Sequence, residues 1–192
     1  FEVVEGKVTE IERVSFVGNI AYSDRRLRRV LASKQAGLLR KLFQRDTFVA
    51  DQVKFDRKLL RDFYLDRGFA DFKIKSTSAE LSRDRGAYFM TFSIFEGKRY
   101  HFNNIDIVSE FPEVAPNLIK PVLKIKSGTI YSPRVVDNEL RKIENKIAQL
   151  NIDFVLVEPI IKKNEKNHSL DLTFIVKKGQ PLFVERINVT GN

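Results

Sequence analysis

The sequence predicts an α+β fold: two tandem βααββ units, each a three-stranded mixed sheet covered on one face by two helices. Three observations predict it. One spacing pattern occurs three times; two helix-period segments precede two strand-period segments in each interval; and the last strand of each interval alternates apolar with smaller or polar residues. The pattern is a Phe, then Val or Ile two positions on, a Gly three further, and Val or Ile after a constant step from that Gly. Its copies are Phe1, Val3, Gly6, Val14, Phe16; Phe92, Ile94, Gly97, Ile105, Ile107; and Phe174, Val176, Gly179, Ile187, Val189. Each copy reads as the end of one strand, a Gly-marked linker and the opening strand of the next unit. Residues 1–7 are therefore expected to end a preceding unit, 8–97 and 98–179 to form two whole units, and 180–192 to begin another. The near-copies "ERVSFVGN" (12–19) and "ERINVTGN" (185–192) fit a stretch of a longer array.

In the first unit, the strand carrying Val14 and Phe16 is followed by "SDRRLRRVLAS" (23–33). Ser23 is a candidate N-cap, and Leu27, Val30 and Leu31 share one side. A second helix over about 48–66 carries Val49, Val53, Leu60, Phe63 and Tyr64 and stops at Gly68. Strands over 69–81 and 87–95 follow, joined by the turn-rich "SRDRG". Tyr88, Met90, Phe92 and Ile94 alternate, so the last strand is central and the second forms a border of the sheet. The second unit repeats the order. A short helix over 116–124 is bent at Pro121; a helix over 133–150 aligns Val136, Leu140, Ile143, Ile147 and Leu150. Asn151 stands where the first unit has Gly68, and strands over 153–161 and 168–177 complete the unit. The first unit is longer through an insertion around "AGLLRKLF" (36–43).

Composition narrows the function. The chain has 192 residues, no Cys, 43% hydrophobic residues and 16 Phe, enough for folded cores and nothing for thiolate or disulfide chemistry. No apolar run is long enough to cross a bilayer, and no secretory signal is present in this piece. The net charge of +9 favours partners with negative surface: nucleic acid, anionic lipid or acidic protein. His101 and His168 stand apart from other ligand types, and no nucleophile elbow, phosphate loop or HExxH occurs. No enzymatic activity, cofactor or metal is expected. Asp56, Asp62 and Asp66 lie beside Arg or Lys on the helix and are expected to be explained by pairing there.

The tandem βααββ order, "VSFVGN" closing the first strand, "YLDRGFADFKI" (64–74) and the "EGK" and "KKG" linkers resemble polypeptide-transport-associated (POTRA) domains. Within the outer-membrane β-barrel assembly factors, "FYLDRGFADFKIKST" looks like the third such domain. "IKSGTIYSPRVVDNELRKIENKI" (125–147) looks like the fourth, and "FVERINVTGN" like the start of the fifth. "IVSEFPE" departs from the Gly-Asn of the other copies, so the first turn of the second unit is expected to differ. The resemblance implies a Gram-negative cell and the periplasmic face of the outer membrane. It also implies a scaffold that binds accessory lipoproteins, a BamB-like one at the first unit, and unfolded outer-membrane β-barrel precursors. Two alternatives remain: POTRA domains of another outer-membrane transporter, and a tandem α/β nucleic-acid-binding module. The absence of a GxxG loop between helices and the core periodicity of the aromatics speak against nucleic acid.

An open sheet border can accept a partner strand by β-augmentation, with affinity from the backbone. In the first unit Phe72 and Ile74 have one parity and Ala79 and Leu81 the other, so a β-bulge is expected near Lys75–Ser78. Beyond it, Ala79 and Leu81 are expected to face away from the helices. Lys75, Ser76, Thr77, Ser78, Ala79 and Leu81 are the candidate partner-binding residues, the resemblance adding Ala79 and Leu81 as lipoprotein contacts. Pro159 is expected to interrupt the equivalent strand, leaving the first unit the better acceptor. Arg25, Arg26, Arg28 and Arg29 are candidates for contact with an anionic membrane surface. Gly97, Lys98 and Arg99 are a candidate hinge.

Overall fold

A computed structural model describes residues 10–33, 50–81, 87–152 and 155–179, and the chain divides into two units between Tyr100 and His101. The first and third copies of the repeat at Phe1–Gly6 and Ile187–Val189, the insertion at 36–43, Val49 and the turn at 82–86 lie outside the described residues. In the first unit, β1 (Glu10–Val17), α1 (Asp24–Arg28), α2 (Ala50–Leu65), β2 (Lys73–Leu81) and β3 (Ala87–Phe95) follow in the expected order. The sheet order is β1-β3-β2, with β1 parallel and β2 antiparallel to the central β3. Strict alternation places Met90, Phe92 and Ile94 in the core, opposite Val14 and Phe16 of β1 and under Leu27, Leu60 and Tyr64 of the helices. Burying each such side chain contributes roughly 1.5–3 kcal/mol. Tyr64 stacks on Phe72 at 4.2 Å and meets Phe69 edge-on at 5.5 Å.

The end of α2 is set by local chemistry. Gly68 adopts φ +93°, its N–H bonds to the Leu65 carbonyl, and the Phe69 N–H reaches back to Tyr64. With the Phe69–Tyr64 ring contact, this is a Schellman stop. The chain turns through 69–72 before β2 begins, so the strand is shorter than the predicted 69–81. α1 is shorter still, five residues against a prediction of 23–33. The reason is a carboxylate on α2. The Ala32 and Ser33 N–H groups donate to Asp56 Oδ1 at 2.7 and 3.2 Å, which draws the chain out of the helical path. Ser23 occupies the N-cap position but makes no side-chain cap bond; Asn19 Nδ2 orders the loop by donating to the Tyr22 carbonyl and Asp24 Oδ1.

In the second unit, β4 (His101–Ser109), α3 (Pro116–Ile119), α4 (Pro133–Ala148), β5 (Val155–Asn164) and β6 (Ser169–Lys178) repeat the plan, with sheet order β4-β6-β5. A 3₁₀ turn over Lys120–Val122 follows α3, where Pro121 bends the segment as expected. Asn151, at φ 55°, does the work of Gly68. Leu170, Leu172, Phe174 and Val176 form the floor of the core, with Val136, Ile143 and Ile147 of α4 above. At the first turn Ser109 Oγ donates to the Phe111 carbonyl and accepts the Phe111 N–H, so the turn does differ from a Gly-Asn one. Pro159 does not interrupt β5. Every residue from Val155 to Asn164 keeps its partner on β6 without a register shift. A proline is tolerated there because β5 lies at the border, where one side of the strand needs no donor.

Asp56 corrects a second expectation. It is not a surface partner of a basic neighbour but is fully buried, holding the exit from α1. Glu139 stands at the same distance before Asn151 as Asp56 before Gly68. It is also buried; it accepts the Lys124 N–H at 2.9 Å and the Lys142 ammonium at 2.6 Å. Both units thus tie the chain leaving the first helical segment to the second helix by a buried carboxylate that accepts backbone N–H groups.

Candidate functional site

Among the described residues β2 is paired on one side only, with β3. Lys73, Lys75, Ser76, Ser78, Ala79, Glu80 and Leu81 are exposed, and Ile74 and Thr77 are half-buried. The register shifts between Ile74 and Ser76, leaving Lys75 as the extra residue of a bulge; its ammonium lies 5.6 Å from the centre of the Phe95 ring. The bulge falls within the predicted segment. The face assigned to Ala79 and Leu81 is corrected, however. Directly opposed residues in a pair of strands share a face, and Thr77, Ala79 and Leu81 lie opposite Phe92, Met90 and Tyr88. Phe92 and Met90 are core residues and Tyr88 packs against the core. The bulge therefore absorbs the parity switch and keeps Ile74, Thr77, Ala79 and Leu81 on the helix-covered side. Ser76, Ser78 and Glu80 point the other way, opposite Ser93, Thr91 and Phe89. Leu81 remains 53% exposed despite its inward parity.

The other candidates divide. Arg25, Arg26 and Arg29 are exposed, whereas Arg28 is half-buried and donates from Nη1 to the Val14 carbonyl of β1 at 3.0 Å. Arg28 is thus engaged by the first unit's own sheet. Gly97, at φ +74°, passes so close to Asp71 that an added Cβ would lie 2.7 Å from the Asp71 Cβ. Arg99 Nε donates to the Arg67 carbonyl at 2.8 Å, and the Tyr100 N–H to the Gly68 carbonyl at 2.7 Å. The Tyr100 hydroxyl donates to Asp71 Oδ2 at 2.8 Å. These bonds hold the candidate hinge against the stop of α2.

Glu96 was not singled out by the sequence reading. It continues the inward alternation of Phe92 and Ile94, and that parity was the available signal. Its carboxylate is buried; it accepts the Ala21 N–H at 3.1 and 2.9 Å on its two oxygens and the Tyr64 hydroxyl at 2.7 Å. Burial, then the hydrogen bond to Glu96, pushes the Tyr64 hydroxyl far above the ordinary tyrosine value. The β1–α1 loop, α2 and the end of β3 are joined at this point, which fixes the helix layer over the sheet whose border is β2. Among the described residues no group of three or more His, Cys, Asp or Glu is placed to hold a metal, and no helix is long and apolar enough to cross a membrane.

Comparison with known proteins agrees with this repeated architecture. The family described as "POTRA: Surface antigen variable number repeat" matches residues 9–97 and 100–179. The outer membrane protein assembly factor BamA of Neorickettsia risticii is 28% identical over 190 residues, 99% of this chain and 25% of that protein. BamA of Neisseria meningitidis serogroup B is 26% identical over 190 residues, 98% of this chain and 24% of that protein. The chain thus spans about a quarter of the length of these curated relatives. The crystal structure of Haemophilus influenzae BamA POTRA3-5 shares the fold with a TM-score of 0.70 at 19% identity, over 95% of this chain and 73% of that one. Every strand and helix of the two βααββ units lies within a match to the same family: the chain belongs to the POTRA family.

Proposed function

We propose that this chain is a docking segment of the machinery that assembles β-barrel proteins in the outer membrane, working at its periplasmic face. It binds accessory lipoproteins and unfolded barrel precursors by β-augmentation on β2 of the first unit. One observation carries the reading: β2 has a single strand neighbour among the described residues and is exposed along nearly its whole length. A row of backbone N–H and C=O groups without partners accepts any extended segment and asks little of its sequence. That tolerance suits a module serving many precursors. The relatives' name, outer membrane protein assembly factor, supports the setting. Lys75, Ser76, Thr77, Ser78, Ala79 and Leu81 form the contact strip, and Arg25, Arg26 and Arg29 face the anionic membrane surface.

The test is a photo-crosslinking scan along residues 73–81 in cells carrying the full-length protein. Adducts with a lipoprotein or with barrel precursors are expected on this strip and not on the buried central strand β3. A scan that yields none along β2, with the protein present at normal level, removes the strip from the site.

A further inference from the structure

Both units carry a groove between the second helix and the border strand, and the two grooves differ in charge. In the first unit a groove of about 440 Å³ has Phe72 and Ile74 as its apolar floor and Arg57, Lys58, Arg61 and Lys73 around it. In the second unit a groove of about 320 Å³ lies in the same place, with Ile147, Val155 and Val157 below and Glu144 at the side. Aligning the units on their helix stops, Gly68 and Asn151, sets Phe72 on Val155, Ile74 on Val157 and Arg61 on Glu144. The apolar floor is kept while the charge at its wall is reversed.

The three cations that α2 contributes to the first groove, Arg57, Lys58 and Arg61, make no ion pair with any carboxylate among the described residues. Arg57 and Arg61 stand four apart on α2, and Lys58 and Arg61 three apart, spacings at which like charges destabilise a helix by a few tenths of a kcal/mol. A carboxylate entering the groove relieves that repulsion. The groove also adjoins β2, so a strand paired to the outer side of β2 sends alternate side chains toward α2 and the Phe72–Ile74 floor.

We propose that the first groove selects, among extended segments docked on β2, those that carry a carboxylate side chain on the helix-facing side beside an apolar residue. The second groove, with Glu144 in place of Arg61, does not make this selection. The proposal rests on the strand-acceptor reading and adds partner choice to it. A polypeptide is favoured over a lipid headgroup because only a polypeptide can use the strand border and the groove together.

The test titrates the 192-residue chain with three fluorescent strand-forming peptides that differ only at the helix-facing positions, carrying Glu, Gln or Lys. The Glu peptide is expected to bind about fivefold tighter than the Gln peptide at low salt and the Lys peptide weakest, with the differences shrinking at high salt. Arg57→Gln with Arg61→Gln should abolish the preference, so that the variant binds the Glu and Gln peptides alike. The peptide swap needs no change in the protein, so a folding defect in the variant cannot mask the result. Equal binding of all three peptides overturns the selection and leaves strand addition standing. Binding of none overturns both. Capture by phosphatidylglycerol vesicles through Arg57 and Arg61, without peptide discrimination, assigns the cations to lipid and also overturns the proposal.

Discussion

Thr77 and Pro159 occupy the same place in their respective sheets: Thr77 lies opposite Phe92 and Pro159 opposite Phe174, and the two phenylalanines are equivalent members of the repeat. Because β5 continues unbroken through Pro159, the N–H that proline lacks must be the one directed outward. The Thr77 N–H then points to the free side of β2, and the Ser78 N–H, by alternation, toward β3. Thr77→Pro is therefore expected to fold with little loss of stability and to weaken binding of a partner strand about tenfold. It also removes a buried hydroxyl oxygen that has no hydrogen-bond partner. Ser78→Pro instead strips a ladder bond and should cost about 1–3 kcal/mol. Thermal melts with a lipoprotein-binding titration check both; undiminished binding by folded Thr77→Pro would falsify the border reading.

The Glu96–Tyr64 bond gives a pH signature. Below about pH 10, the ordinary tyrosine value, the hydroxyl is protonated in folded and unfolded chains alike, and the bond contributes fully. Above it the unfolded chain ionises while folded Tyr64, its proton retained by burial and by Glu96, does not. The unfolded state then binds fewer protons, so stability falls as pH rises. Tyr64→Phe should cost about 1–2 kcal/mol at neutral pH. Its deficit against wild type should narrow on the alkaline side. Urea melts at neutral pH and above about pH 10 check this; a deficit that does not narrow would refute the assignment.

Asp56→Ala leaves the Ala32 and Ser33 N–H groups without their acceptor and should destabilise the first unit by about 2–4 kcal/mol. Glu139→Ala removes the acceptor of the single Lys124 N–H together with the Lys142 ion pair. In each variant, hydrogen exchange should quicken at the exit of the first helical segment of the same unit. Unchanged protection of Ala32 in Asp56→Ala would show that the carboxylate does not hold that exit.

Gly97→Ala must place a methyl group against Asp71 from a left-handed backbone, at a cost of about 1–3 kcal/mol. If residues 97–100 instead behaved as a loose tether, the substitution would be nearly silent and the Tyr100 amide would exchange rapidly. Slow exchange of that amide, lost in Gly97→Ala, is the expected result.

Much of the fold could be read from the chain because its strongest signals are periodic. The alternation through Phe92 and Ile94, its echo at Phe174 and Val176, and the helix stops at Gly68 and Asn151 all encode local geometry. What could not be read depended on contacts between distant segments. The length of α1 is decided by Asp56, more than twenty positions away. The face of Ala79 and Leu81 is decided by which neighbour absorbs the bulge, a matter of pairing with β3 that parity within one strand leaves open. Pro159 looked like a break when read alone; the ladder shows that position relative to the border matters more than residue type. Glu96 reads as a charged linker residue until its partners, Ala21 and Tyr64, are brought to it by the fold.

The anchoring of Tyr100 bears on how such modules can be exchanged. A fragment ended at Gly97, where the first family match stops, would discard a buried ring and its bonds to Gly68 and Asp71. Recombination or engineering that swaps one module for another must carry these trailing residues along, or rebuild their footing on the module left behind.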